Sequence, residues 1–254
     1  MKVIPAVDLM GGRVVRLFQG NPNKAKYYDS LGDPVAVAKK WEEEGADALH
    51  VVDLDAAFNR GNNLETILRI IKEVRLPVQV GGGIRSLEVA EKLFESGAGH
   101  VILGTISFKK PEILRFLVKK YGSRIIVALD HINGEVMVEG WRKSTGFKLK
   151  DAIKMFLEIN VHDFLLTSIG KDGTLQGIDL ETLKEACKIK EAKIIAAGGV
   201  GSLKDLAALK EIGVYGVVVG KALYEGAFKL SEALKIARGQ SFAACEAYNS
   251  MPRR

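Results

Sequence analysis

The chain has only two cysteines, Cys187 and Cys245, and they carry neither metal-ligand spacing nor a disulfide framework. Its four histidines are scattered, so no metal site is expected. No apolar run reaches the roughly 18 residues that a membrane span needs. The start, MKVIPAVDL, enters a strand-like run without the long apolar region and cleavage site of a signal peptide. No tract is of low complexity, and no stripe of basic residues is interleaved with aromatics. These absences exclude membrane spans, disulfide scaffolds and an obvious nucleic-acid surface. They leave a reduced, soluble, cytoplasmic protein, expected to be a monomer.

Charge is present, but dispersed. The formal net charge is +6, with 27% of residues charged. Lys39, Lys40, Lys72, Lys119 and Lys120 sit among glutamates on amphipathic segments, as on a solvated surface. A mildly positive field also steers polyanionic small molecules.

Short hydrophobic runs of strand length lie near residues 3–7, 48–52, 78–80, 101–103, 125–129, 163–167, 194–197 and 216–219. Their near-continuous apolar character suits parallel strands buried on both faces. Between them, residues 34–44, 64–74, 87–96, 111–120, 149–159, 180–188 and 203–212 show apolar residues at helical spacing. The alternation predicts an α/β fold, the (β/α)8 TIM barrel, as a single domain over residues 1–240. Residues 241–254 are expected to form a C-terminal tail.

The chain also repeats itself. PVQVGGGIRSLEVAEKLFESGAGHVILGTISF (77–108) returns without a gap as KIIAAGGVGSLKDLAALKEIGVYGVVVGKALY (193–224), offset by 116 positions. Gly82 matches Gly198, Gly97 matches Gly213, and Gly104 matches Gly220. Upstream, IPAVDLMGGRVV (4–15) resembles IVALDHINGEVM (126–137), so Asp8 matches Asp130 and Gly12 matches Gly134. The barrel therefore reads as two fused half-barrels. One glycine loop is as readily a tight βα turn as a phosphate cradle. Two copies before helix N-termini favour two phosphate sites and a ligand with a phosphate at each end.

Asp8 and Asp130 end strands one and five, on opposite sides of a closed ring of eight. Facing carboxylates can divide general acid and general base between them, whereas either alone would pass for a turn cap. Other candidates carry two readings each. Asp172, in KDGT, is first a turn residue. Thr167 either hydrogen-bonds an acid or substrate, or fills a strand position. Arg16 grips a phosphate or carboxylate, or forms a salt bridge. Trp141, in the long loop after strand five, stacks on a ring or anchors that loop. Asp53 and Asp55 suit buried hydrogen bonding to loop backbone, and His50 and His131 suit structural positions.

Taken together, IPAVDLMGGRVVRLFQG, HVVDLDAA, VQVGGGIRS, ILGT, KDGTLQG, AAGGVGS and VVVGKALYEG resemble the phosphoribosylformimino aminoimidazole carboxamide ribotide isomerase family of histidine biosynthesis, in order and from about residue 2 to 226. The resemblance implies an Amadori rearrangement of an aminoaldose to an aminoketose, with no cofactor, on a substrate with a phosphate at each end. It implies Asp8 as general base and Asp130 as general acid, with Thr167 and Asp172 supporting the acid and contacting substrate. Gly82, Gly83, Gly104, Thr105, Gly173, Gly199 and Gly220 match its phosphate loops. Two positions depart: Ser168 stands where the family carries an acidic residue, and Gly201 stands where the first copy has Arg85. Three rivals share the pattern: the cyclase subunit of imidazole glycerol phosphate synthase, a bifunctional isomerase that also takes phosphoribosyl anthranilate, and a phosphosugar-binding barrel without catalysis.

Overall fold

A computed structural model describes residues 1–239; the tail expected at 241–254 lies outside them. Eight parallel strands form the barrel: β1 (Lys2–Met10), β2 (Leu49–Asp53), β3 (Val78–Gly81), β4 (His100–Leu103), β5 (Ile125–Ile132), β6 (Asp163–Ser168), β7 (Lys193–Ala197) and β8 (Gly216–Val219). Each pairs with the next. The ring closes where β8 meets β1, with Lys2 opposite Gly216 and Pro5 opposite Val219. Eight helices alternate with the strands: α1 (Pro34–Glu43), α2 (Leu64–Glu73), α3 (Leu87–Glu95), α4 (Pro111–Tyr121), α5 (Leu149–Leu157), α6 (Leu180–Cys187), α7 (Leu203–Glu211) and α8 (Leu230–Arg238). All the strands and the first seven helices fall where the hydrophobic periodicity puts them; α8 goes beyond it.

Side chains on a strand alternate between faces, and that alternation divides the core. Ile4, Ala6, Ala48, Ile102, Ile126, Leu165, Ile195 and Val218 fill the barrel interior. Their neighbours, such as Val3, Val7, Val127 and Val217, point outward into the larger core beneath the helices. The helix starts carry their own signals. Asp33 accepts from Ala36 N ahead of Pro34, and Ser202 forms a capping box with Asp205 at the start of α7. Among the described residues, no helix is long and apolar enough to cross a membrane.

Two additions go beyond the eightfold pattern. β1 turns at Gly11 and Gly12 into a strand at Arg13–Phe18, which pairs back antiparallel and continues into Asn21–Tyr27. β5 turns at Gly134 into Glu135–Val138, followed by Lys143–Lys148. The segment after strand five, expected as a loop, is thus a hairpin. The matched Gly12 and Gly134 are the turns that start equivalent arms, with φ of +72° and +76°.

Candidate active site

The inward face of each strand ends in polar residues at the C-terminal mouth. There a cavity of about 550 Å³ opens, roofed by the two hairpins. Every site residue proposed from the sequence lines it: Asp8, Arg16, Asp130, Trp141, Thr167 and Asp172, with Thr105 and the glycines Gly82, Gly83, Gly104, Gly173, Gly199 and Gly220.

Asp8 continues the inward series Ile4, Ala6 on β1, and Asp130 continues Ile126, Ala128 on β5. The two carboxylates are dressed differently. Asp8 Oδ2 accepts from Arg16 Nη1 at 2.6 Å, with both side chains nearly buried. Burial pushes the Asp8 pKa up to about 6, against the pull of Arg16, with Asp172 adding to the rise. Among the described residues, no cation contributes to the pKa of Asp130. Its Oδ2 accepts from Trp141 Nε1 at 2.8 Å, and Thr167, paired with it across the β5–β6 register, adds a side-chain hydrogen bond. Burial raises the Asp130 pKa; the Thr167 and Trp141 donors oppose the rise and Asp172 supports it. Asp172 is itself raised by burial, and Arg16 and Lys221 counter this.

Arg16 reaches Asp8 because of Gly220. A Cβ at Gly220 would overlap the guanidinium, with Nε only 2.8 Å away. This glycine of the second repeated loop is therefore the floor under a charged side chain.

The repeated loops occupy matching places. Gly82 takes φ +89° where a Cβ would press on the Asp53 backbone, a close approach that only glycine allows. Ser86 then caps α3, as Ser202 caps α7. Gly104 and Gly220 adopt the same backbone angles, φ near −101° and −105° with ψ −104° in both, ahead of the short helices Thr105–Lys109 and Lys221–Tyr224. Free backbone N–H groups at such turns suit anionic oxygens.

The cations in the two halves differ. Arg85 donates to the carbonyls of Ala56 and Ala57, at 2.7 and 3.1 Å. At its counterpart Gly201, a Cβ would meet the Leu175 backbone, so no side chain fits. A charge comes instead from Lys221, the counterpart of Thr105, whose Nζ donates to Gly173 O at 2.8 Å and which lines the cavity. Sequence reasoning passed over Lys221, although the 116-residue offset pointed to it. Ser168 does not line the cavity, so that departure does not reach the site.

The remaining candidates sort cleanly. Asp53 caps the short helix Leu54–Ala57 and accepts from Asn63 N at 2.7 Å, while Asp55 accepts from Gly11 N at 2.6 Å. Both serve the loops. His131 is buried away from the cavity, but His50 lines it. Among the described residues, no group of three His, Cys, Asp or Glu side chains could hold a metal ion.

Fold and mouth define a class: a (β/α)8 barrel of two repeated halves, with carboxylates on opposite strands between two matched glycine loops. Residues 2–229 match the family model described as histidine biosynthesis protein, and the chain belongs to that family. It is 44% identical over 237 residues to the 1-(5-phosphoribosyl)-5-((5-phosphoribosylamino)methylideneamino) imidazole-4-carboxamide isomerase of Nitrosopumilus maritimus, covering 93% of this chain and 99% of the relative. The isomerase of the same name from Desulforudis audaxviator is 44% identical over 100% of this chain and 97% of its own. That of Methanocaldococcus jannaschii is 44% identical over 94% and 100%.

Proposed function

We propose that the chain is a cofactor-independent isomerase of histidine biosynthesis, converting the phosphoribosylformimino aminoimidazole carboxamide ribotide from aminoaldose to aminoketose by an Amadori rearrangement in the cytoplasm. The observation that carries the mechanism is the unequal dressing of Asp8 and Asp130. Arg16 favours the ionised form of Asp8, and a pKa of about 6 leaves that carboxylate mostly charged at neutral pH, as a base requires. The donors to Asp130 among the described residues, Trp141 and Thr167, are neutral, and burial favours its protonated form.

Asp130 gives its proton to the ribose ring oxygen as the C1–O bond breaks, and the nitrogen lone pair forms a protonated Schiff base. Asp8 then removes the proton from C2. The C2–H electrons become the C1–C2 double bond, and those of the C=N bond return to nitrogen, giving the enolamine that becomes the ketose. The loops around Gly82 and Gly104, and around Gly199 and Gly220, hold one phosphate each. The separation of the two halves thereby fixes the sugar between the carboxylates.

Turnover of the aminoaldose by the purified protein, with and without ammonia and with phosphoribosyl anthranilate in parallel, tests this. An aminoketose product from the first substrate alone supports the proposal. An imidazole product assigns the chain to the cyclase, turnover of both substrates makes it bifunctional, and no turnover of either contradicts an isomerase.

A further inference from the structure

We propose that His50, held by Gln79 as the neutral imidazole with its proton on Nε2, donates a hydrogen bond to a sugar oxygen on the Asp8 side of the cavity. Gln79 is then a positioning residue acting through it. The proposal deepens the isomerase reading and rests on it.

His50 and Gln79 are register partners on β2 and β3, and His50 is in turn the partner of Ala6 on β1. All three face the barrel interior, one layer below Asp8. Both polar side chains are buried, at 7% and 3% exposure, yet only His50 lines the cavity; Gln79 stands behind it. Gln79 Nε2 lies 2.9 Å from His50 Nδ1. With the Gln79 amide placed so that its NH2 group, a donor only, faces the ring, Nδ1 is assigned as the acceptor and the ring proton to Nε2. Burial, with the Arg16 charge as second cause, pushes the His50 pKa down to about 3, so the ring stays neutral at working pH. A buried neutral imidazole with one nitrogen engaged offers its other N–H to whatever enters the cavity.

The Arg16 guanidinium supplies a second sign. Its Nε–H is buried with no hydrogen-bond partner among the described residues. Unpaired buried donors are uncommon and costly; Arg16 and His50 both line the cavity, where an incoming oxygen would match an open donor. The chemistry asks for one there. As Asp8 takes the C2 proton, electron density builds across C1, C2 and the C2 oxygen. A neutral N–H stabilises that oxygen without competing with Asp8 for the proton. An imidazolium in the same place would hand its proton to the base.

The test begins with the wild-type protein. Nitrogen-15 NMR of the four histidine rings, with His50 assigned by its loss in His50→Gln, should show His50 as the neutral Nε2–H tautomer without titration from about pH 5 to pH 9. Gln79→Glu, whose carboxylate can only accept, should move the proton to Nδ1. It should lower kcat roughly tenfold to a hundredfold while leaving KM nearly unchanged. His50→Gln, which keeps an N–H donor, should retain more activity than His50→Leu. An Nδ1–H tautomer or a titrating His50 in the wild type would overturn the proposal, and so would a moved proton in Gln79→Glu with unchanged kcat. Failure of the wild type to turn over the aminoaldose sinks the isomerase reading and the sugar contact with it, whereas the NMR result bears on Gln79 and His50 alone.

Discussion

Arg16 donates from Nη1 to Asp8 Oδ2 at 2.6 Å between the two arms of one hairpin, with the side chains only 10% and 13% exposed. The equivalent hairpin of the second half supplies Trp141 to Asp130 instead. Two carboxylates that the repeat makes equivalent are thus dressed unequally: burial raises both pKa values, a cation opposes the rise at Asp8, and neutral donors oppose it at Asp130. The proposed division of acid and base rests on that difference.

Replacing Arg16 with Met removes the cation that holds Asp8 down. The Asp8 pKa then rises beyond about 6. The acid limb of the kcat/KM pH profile should move to higher pH by at least about one unit, the low end for losing an adjacent opposite charge. An unmoved limb would show that Asp8 is not the titrating base.

Gly220→Ala tests whether that glycine serves Arg16 or only a phosphate. A Cβ would overlap the guanidinium, so the variant should shift the acid limb in the same direction as Arg16→Met. It should also lower kcat/KM by about tenfold or more. A pure rise in KM with an unshifted profile would leave Gly220 as a phosphate-loop residue alone.

How much of this could be read in the sequence depends on the kind of signal. The eight strands were legible because strands buried on both faces are continuous apolar runs, and Asp8, Asp130 and the glycines of the repeated loops because the 116- and 122-residue offsets set them in pairs; Asp172 and Gly173 have no such partner. The hairpin arms were not: NPNKAKY and KSTGFK are largely exposed and lack apolar alternation. Nor were the pairings Arg16–Asp8 and His50–Gln79, which depend on strand register and on the packing around Gly220. Lys221 was readable in principle, as the counterpart of Thr105, but a lysine opposite a threonine does not look like a repeat.

Trp141→Phe keeps the ring and removes the N–H donated to Asp130. A hydrogen bond to the carboxylate that forms as Asp130 gives up its proton contributes about 1.5–3 kcal/mol, so kcat should fall roughly tenfold to a hundredfold. That donor lowers the Asp130 pKa. Without it the acid stays protonated to higher pH, and the basic limb of the kcat profile should move alkaline. A shift in the acid direction would contradict the assignment.

Stability should respond in the opposite sense to activity. Burial raises the folded-state pKa of Asp130 above its ordinary value of 3.8. Its contribution to stability is therefore complete below that value and is lost as pH rises through the folded pKa. Asp130→Asn keeps an acceptor for Trp141 and removes the buried charge. Thermal melts should show the variant gaining on the wild type as pH rises from about 4 to 8, by roughly 2–4 °C for each kcal/mol. A Tm advantage that shrinks toward alkaline pH would contradict the raised pKa.

The most direct test of the acid–base pair is turnover of the aminoaldose by wild type, Asp8→Asn and Asp130→Asn, followed by the absorbance change on isomerisation. Each substitution should lower kcat by several orders of magnitude, roughly 10³-fold or more, with the fold and phosphate binding retained. Either variant turning over substrate at a rate close to the wild type would contradict the account.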